Sequence, residues 1–195
     1  MHPVLKQNLY FVKEHVGIFK AANEFDIYNP QTNSQILACR EPNIGILTKL
    51  FRFTDYKRFT PFEVVISTPS GEKVLTVRRG ITIFLSKVEV LDEHDQVVGS
   101  FKQKLFSIGG KFAVRDAQDN ELCTLKGKWT SWDFRFVRDD QELAQVAKKW
   151  AGLGKELFTT ADNYMLSINA SVGPNDSLRM LVLGAVMCID MVLKE

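Results

Sequence analysis

Two pairs of lysines, Lys102 with Lys104 and Lys126 with Lys128, stand two residues apart in stretches rich in Phe, Leu and Thr. In a strand that spacing puts both ammonium groups of a pair on one face. Arg78-Arg79 and Lys148-Lys149 also fall near the ends of strand-like runs. The chemistry on offer is non-covalent. If neighbouring hairpins align, these cations form a patch for an anionic lipid surface, with each charge near a membrane contributing about 1 kcal/mol. Phosphoinositide or nucleic acid would be drawn by the same charges. The bland alternative is a solvated outer face whose lysines discourage edge-to-edge pairing. The sequence leaves these readings open.

Covalent chemistry lacks its constellation. His2, His15 and His94 have neither metal nor nucleophile spacing and read as surface residues. No glycine-rich phosphate loop precedes a helix, and Gly109-Gly110 reads as a turn or bulge. The Ala161-Asp162-Asn163 stretch reads first as turn chemistry. Cys39, Cys123 and Cys188 are odd in number, far apart and off any metal spacing, which points to free thiols in a reducing compartment. The expectation is a protein that is not an enzyme and binds no cofactor with confidence.

Bulk properties narrow the class. A net charge of +2 on 195 residues is too small to argue for nucleic acid by itself. The opening MHPVLKQNLYFVKE has no long apolar stretch and no small-residue cleavage site, so a cytoplasmic protein is expected, with membrane association left open.

These side chains must be positioned by hairpins. From Asn8 to about Ala170, short strand-like runs alternate with turn residues: Pro30 to Ser34, Pro69-Ser70-Gly71, Asp92 to Asp95, Asp116 to Asn120, and Asp139-Asp140. Gly, Asp, Asn and Ser sit where a reversal needs positive φ or a side chain bonded to its own backbone. Strand signals at such short intervals predict one all-β domain over residues 1–195, a sandwich or barrel of about a dozen antiparallel strands.

The C-terminus breaks the pattern. SLRMLVLGAVMCIDMVLKE begins after Gly173-Pro174-Asn175-Asp176, where Asp176 or Ser177 can cap a helix of about 177–193. Its sixteen central residues span roughly 24 Å, short of a bilayer core of about 30 Å. It is apolar on all sides, as in a helix surrounded by protein or lipid. A β-barrel closed around it satisfies both halves of the chain. Gly184 would admit a closely approaching strand. Arg179 and Asp190 fall on nearly one stripe, and both signs oppose the helix dipole. Arg179 is expected to reach solvent at a barrel mouth, and Asp190 to be a paired, partly buried carboxylate. Trp129 and Trp132 are expected to pack the barrel.

The segments KKWAGLGKELFTTADNY and LVLGAVMCID resemble the phospholipid scramblase family and its relatives in the Tubby C-terminal-like and LURP-one-related superfamily. Trp150, Gly152, Glu156, Phe158, Thr159, Ala161, Asp162, Asn163 and Tyr164 carry the likeness, with Gly184, Ala185, Ile189, Asp190 and Glu195 in the tail. The resemblance implies a closed antiparallel barrel with the hydrophobic C-terminal helix threaded through it. It also implies calcium-dependent movement of phospholipid between leaflets, and, from the Tubby-like side, phosphoinositide binding by basic surface residues. Calcium, if bound, would be held weakly by Asp162, Asn163 and Asp176, because Thr160 and Met165 depart from the family pattern. The Pro-rich N-terminal region and cysteine cluster usual in scramblases have no counterpart in this sequence.

The expected function is therefore peripheral contact with anionic phospholipids or phosphoinositides through Arg78, Arg79, Lys102, Lys104, Lys126 and Lys128. Scrambling itself is implied by the resemblance alone. The alternative is a soluble protein-interaction module that kept the barrel and recruits protein partners.

Overall fold

The computed structural model describes residues 1–14, 24–42, 60–81, 87–104, 111–128, 132–148 and 163–193, without the side chains of 128 and 190–193. Among these residues a 3₁₀ turn, Pro3–Lys6, leads into twelve strands. They are β1 (Leu9–Glu14), β2 (Phe25–Tyr28), β3 (Gln35–Arg40), β4 (Phe62–Ser67), β5 (Lys73–Arg79) and β6 (Lys87–Leu91). Then come β7 (Val97–Gln103), β8 (Lys111–Asp116), β9 (Glu121–Lys128), β10 (Asp133–Arg138), β11 (Gln141–Ala147) and β12 (Asn163–Ile168). One helix, α1 (Leu178–Leu193), follows.

Each strand pairs with the next in sequence, and β1 pairs with β12, so the sheet closes into an antiparallel barrel. Closure leaves no sheet edge exposed. Five tight reversals lie at one end, which we call the turn end. Asn33, Asp95, Asp119, Asp139 and Asp140 there have positive φ, as does Gly71 at φ 91°. Asp92 Oδ1 accepts from the amides of His94 and Gln96, both at 2.9 Å. Asp116 Oδ1 does the same for Gln118 and Asn120. Short polar side chains thus supply the hydrogen bonds that the reversing backbone lacks.

Period-2 alternation decides what faces the lumen. In β10, Phe134 and Phe136 are fully buried while Asp133 and Arg135 face outward. Phe101, Phe112 and Leu125 fill the lumen from neighbouring strands. Each such side chain contributes about 1.5–3 kcal/mol by leaving water.

The helix occupies the remaining interior. It starts at the turn end, where Asp176 Oδ1 accepts from the Leu178 amide at 2.9 Å. Leu181 approaches Gly99 of β7, and Gly184 lies against Val77 of β5 and Val90 of β6. Residues 178–189 are buried on every side. That explains a run with no polar face: the helix is the core of its own barrel. Among the described residues no helix is long and apolar enough to cross a membrane.

Gly184 sits where the wall is closest. A Cβ built there would stand 2.9 Å from Val90 Cγ2 and 3.2 Å from Val77 Cγ2. The glycine gives up helix propensity to let α1 approach β5 and β6.

Candidate functional site

Hairpin register aligns the cations on the outer wall. Lys87 of β6 lies opposite Lys102 of β7, and Lys111 of β8 lies opposite Lys126 of β9. Lys126 is also opposite Arg135 of β10. The backbone amide of Lys104 donates to the Lys111 carbonyl at 3.0 Å, which puts Lys104 beside the same row. Lys104, Lys111 and Lys126 line a shallow depression with Thr124, Asp139 and Asp140.

Some of these charges are engaged. Lys104 Nζ donates to Glu121 Oε1 at 2.7 Å, and this holds the Glu121 carboxyl below its ordinary range. Arg135 reaches Asp133 and Glu142 at 2.9 and 3.0 Å. Arg78 pairs with Glu89 at 3.1 Å, and Lys87 joins the same carboxylate at 3.2 Å. Burial pushes Glu89 up, but the donors Lys87 and Arg78 outweigh it and keep its pKa low. Lys102 and Lys126 are exposed and make no ion pair among the described residues. The side chain of Lys128 lies outside the described residues.

Arg79 does not belong to this face. Adjacent strand residues point to opposite sides, so Arg78 faces water and Arg79 faces the interior at 4% exposure. Its guanidinium donates to the Thr60 carbonyl at 2.8 Å and stacks 4.9 Å from the Phe62 ring centroid. The expectation that both arginines line one lipid patch is corrected by strand alternation.

Arg179 is corrected too. It does not reach solvent; it is 3% exposed. Its guanidinium donates to the carbonyls of Gln7, Val172 and Gly173 at 2.8–2.9 Å and to Leu5 at 3.3 Å. A fifth bond, 2.8 Å, goes to Asn8 Oδ1. The side chain of Asp190 lies outside the described residues.

Of the oxygen ligands suggested for calcium, Asn163 and Asp176 do not converge. Asn163 opens β12 opposite Lys13 of β1. Asp176 lies beyond the other end of that strand, about 17 Å of extended chain away at roughly 3.3 Å per residue, and it is occupied as the cap of α1. Asp162 lies outside the described residues. Among the described residues no group of three acidic, His or Cys side chains could hold a metal ion. Calcium needs six to eight oxygens, and the pair that can be placed does not fit that requirement.

Sequence reasoning missed Lys87, Lys111 and Arg135. Counting outward from the Asp116–Asn120 turn would have set Lys111 opposite Leu125; a register shift between Val114 and Arg115 brings it opposite Lys126 instead. It also missed an aromatic cluster at the far end, away from the turns. Trp132, at φ 48°, stacks on Tyr164 with centroids 4.8 Å apart and meets Phe134 edge-on. Lys148 Nζ lies 4.3 Å from the Trp132 centroid, a cation–π contact. Trp132 packs the barrel as expected, whereas Trp129 lies outside the described residues.

Comparison with known proteins adds to this geometry. The scramblase family model matches residues 5–195. The chain is 23% identical over 145 residues to phospholipid scramblase family member 5 of Homo sapiens, covering 67% of this chain and 53% of that protein. It is 22% identical over 192 residues to a phospholipid scramblase family protein of Schizosaccharomyces pombe, covering 90% and 50%. Phospholipid scramblase 2 of Homo sapiens is 22% identical over 190 residues, covering 88% and 60%. The chain thus spans about half the length of the curated relatives it matches. A protein from Arabidopsis thaliana solved by X-ray crystallography aligns at TM-score 0.53 and 16% identity, covering 97% of this chain and 95% of that one. That likeness shows the fold.

Proposed function

The chain belongs to the scramblase family, and we propose that its barrel acts without covalent chemistry, by contacting anionic phospholipid through the part of the outer face of β6–β10 that lies away from the tight turns. The observation that supports this reading most is Lys111 opposite Lys126, with Lys102 opposite Lys87 two strands away. Like charges directly across a sheet are destabilising. Headgroup phosphates would offset that repulsion, and the exposed Lys102 and Lys126 are placed to meet them. The names of the relatives state phospholipid scrambling; for this chain we assign headgroup contact as the step that this face performs. The partner is a phosphatidylserine- or phosphoinositide-bearing surface, and the protein is peripheral to it.

Flotation with vesicles of phosphatidylcholine, with and without phosphatidylserine or a phosphoinositide, tests the proposal. Binding should require the anionic lipid and weaken between about 0.05 and 0.5 M salt as screening shortens the Debye length. Reversing Lys102 and Lys126 to Glu together should reduce binding by more than about ten-fold, since each cation near a membrane contributes roughly 1 kcal/mol. Salt-insensitive binding, or none, would overturn it.

A further inference from the structure

The two ends of the barrel differ in chemistry. At the turn end the reversals carry carboxylates: Asp92, Glu93 and Asp95 between β6 and β7, Asp116 and Asp119 between β8 and β9, and Asp139-Asp140 between β10 and β11. Of the cations there, Lys73 and Arg115 are paired with Asp95 and Asp119, while Lys6 and Arg138 are exposed and outnumbered by the carboxylates. The opposite rim is basic. Lys87 begins β6, Lys104 follows β7, Lys111 begins β8 and Lys148 follows β11. Among the described residues its carboxylates are Glu14, Glu24, Glu41 and Glu63, with Glu89 and Asp133 in ion pairs, and of its lysines Lys87 and Lys104 are paired with Glu89 and Glu121.

The same rim presents apolar and aromatic groups. Ile81, just past β5, is 80% exposed, far more than any other large apolar side chain described. Half-buried Trp132 lies there under Lys148, stacked on the buried Tyr164. A tryptophan beside a cation suits the level between hydrocarbon and headgroup.

We infer that the barrel meets an anionic bilayer end-on, with the rim of Ile81, Lys87, Lys104, Lys111 and Lys148 toward the lipid and the acidic turns toward water. The inference rests on the lipid reading above and adds an orientation to it. Charge complementarity fixes the occupant. An anionic surface attracts the basic rim and repels the carboxylate-bearing one, so the two terms act together to orient the molecule. Ile81 then enters the interface, and the lysines around it remain at headgroup depth with their stems along the apolar boundary.

Site-specific depth measurement tests this. Cys39, Cys123 and Cys188 are all buried, so an added surface cysteine can be labelled selectively in the folded chain. A polarity-sensitive dye at Ile81→Cys should shift to the blue on vesicles of phosphatidylserine and phosphatidylcholine, and brominated lipid should quench it. The same dye at His94→Cys, in an exposed turn at the other end, should do neither. Ile81→Asp should lower vesicle binding about five-fold without moving the urea midpoint. Quenching at both positions, or at 94 alone, would overturn the orientation while leaving lipid contact intact. Bound protein with an unquenched dye at 81 would do the same and indicate docking on the side of the barrel. Absence of vesicle binding would remove the lipid reading itself, in favour of a protein partner.

Discussion

The guanidinium of Arg179 donates to Asn8 Oδ1 at 2.8 Å, joining the first turn of the internal helix to residues 171 positions earlier. The same group holds the carbonyls of Gln7, Val172 and Gly173. A cation at a helix N-terminus opposes the dipole, and no carboxylate among the described residues pairs with it. Oriented carbonyl oxygens replace water around the charge instead. One side chain thereby fastens the opening 3₁₀ turn, the link after β12 and α1 to one another.

Removing it should therefore be costly. Arg179→Met leaves several buried carbonyls without donors and should lower unfolding free energy by about 3 kcal/mol. Arg179→Lys should recover only part, because an ammonium has three donors and no planar fork. Urea denaturation of the three proteins checks this. A loss within about 0.5 kcal/mol for the Met variant would show that the clamp is incidental.

Gly184 offers a test in which the sign is informative. Replacing an interior helical glycine with alanine ordinarily gains roughly 1 kcal/mol. Here the new Cβ would stand 2.9 Å from Val90 Cγ2, and overpacking of this kind costs about 1–3 kcal/mol. Gly184→Ala should destabilise the native barrel by about 1 kcal/mol and stabilise the Val90→Ala background. A double-mutant cycle measures the coupling; additivity would mean the close approach is easily relaxed.

Much of this architecture was legible in the chain because local rules carried it. The turns at Asp92 and Asp116 follow from side chains that bond their own backbone, the one at Asp139-Asp140 from residues that tolerate positive φ, and the uniformly apolar tail has few homes other than a closed interior. Arg79 and Arg179 were misread for different reasons. Period-2 alternation alone denies adjacent Arg78 and Arg79 a common face, whereas the placement of Arg179 depends on partners far away in sequence, Asn8 among them. No local pattern distinguishes an arginine clamped by distant carbonyls from one in water. The basic face was half visible: spacing by two gave Lys102 with Lys104, while the cross-strand neighbours Lys87 and Lys111 needed the register.

Arg78 and Arg79 should behave as opposites despite being adjacent. Arg79→Ala removes a buried guanidinium bonded to the Thr60 carbonyl and stacked on Phe62, and should lower stability by about 3 kcal/mol. Arg78→Ala breaks a half-exposed ion pair with Glu89 and should change stability by no more than about 0.5–1 kcal/mol. Equal effects would contradict the alternation of β5 on which the outer face depends.

Acid should weaken the barrel. Glu121 and Glu89 lie below the ordinary 4.5, and Asp116 and Asp133 below the ordinary 3.8. For Glu121 the cause is the Lys104 hydrogen bond, for Asp116 the Asn120 side chain, and for Asp133 the Arg135 side chain. A folded pKa below the unfolded one means that the unfolded chain binds more protons as pH falls. The stabilisation is fully present above the unfolded carboxylate range and is lost as pH drops through the lowered folded values. The urea midpoint should hold from pH 7 to about 5 and fall steadily below about 4.5. Lys104→Met should make that fall shallower, because Glu121 loses its donor. A midpoint independent of pH down to 3 would refute these pairings.

Asp176 separates a cap from a calcium ligand. Its carboxylate accepts the Leu178 amide at 2.9 Å, satisfying one of the open donors of the first helical turn. Asn163 sits at the other end of β12, so the two cannot close on one ion without rebuilding a strand held on both sides, by β1 and β11. Asp176→Ala should therefore cost about 1 kcal/mol, the usual loss for a cap, and the same amount with chelator or with millimolar calcium. Asp176→Asn should recover most of it, since an amide oxygen caps as well as a carboxylate. A ligand role predicts a different pattern. Calcium would raise the stability of the parent chain by mass action, and both variants would lose that increment alike. Thermal denaturation of the three proteins in both conditions decides between the two, and a calcium increment abolished by the Asn variant would show that Asp176 is a ligand.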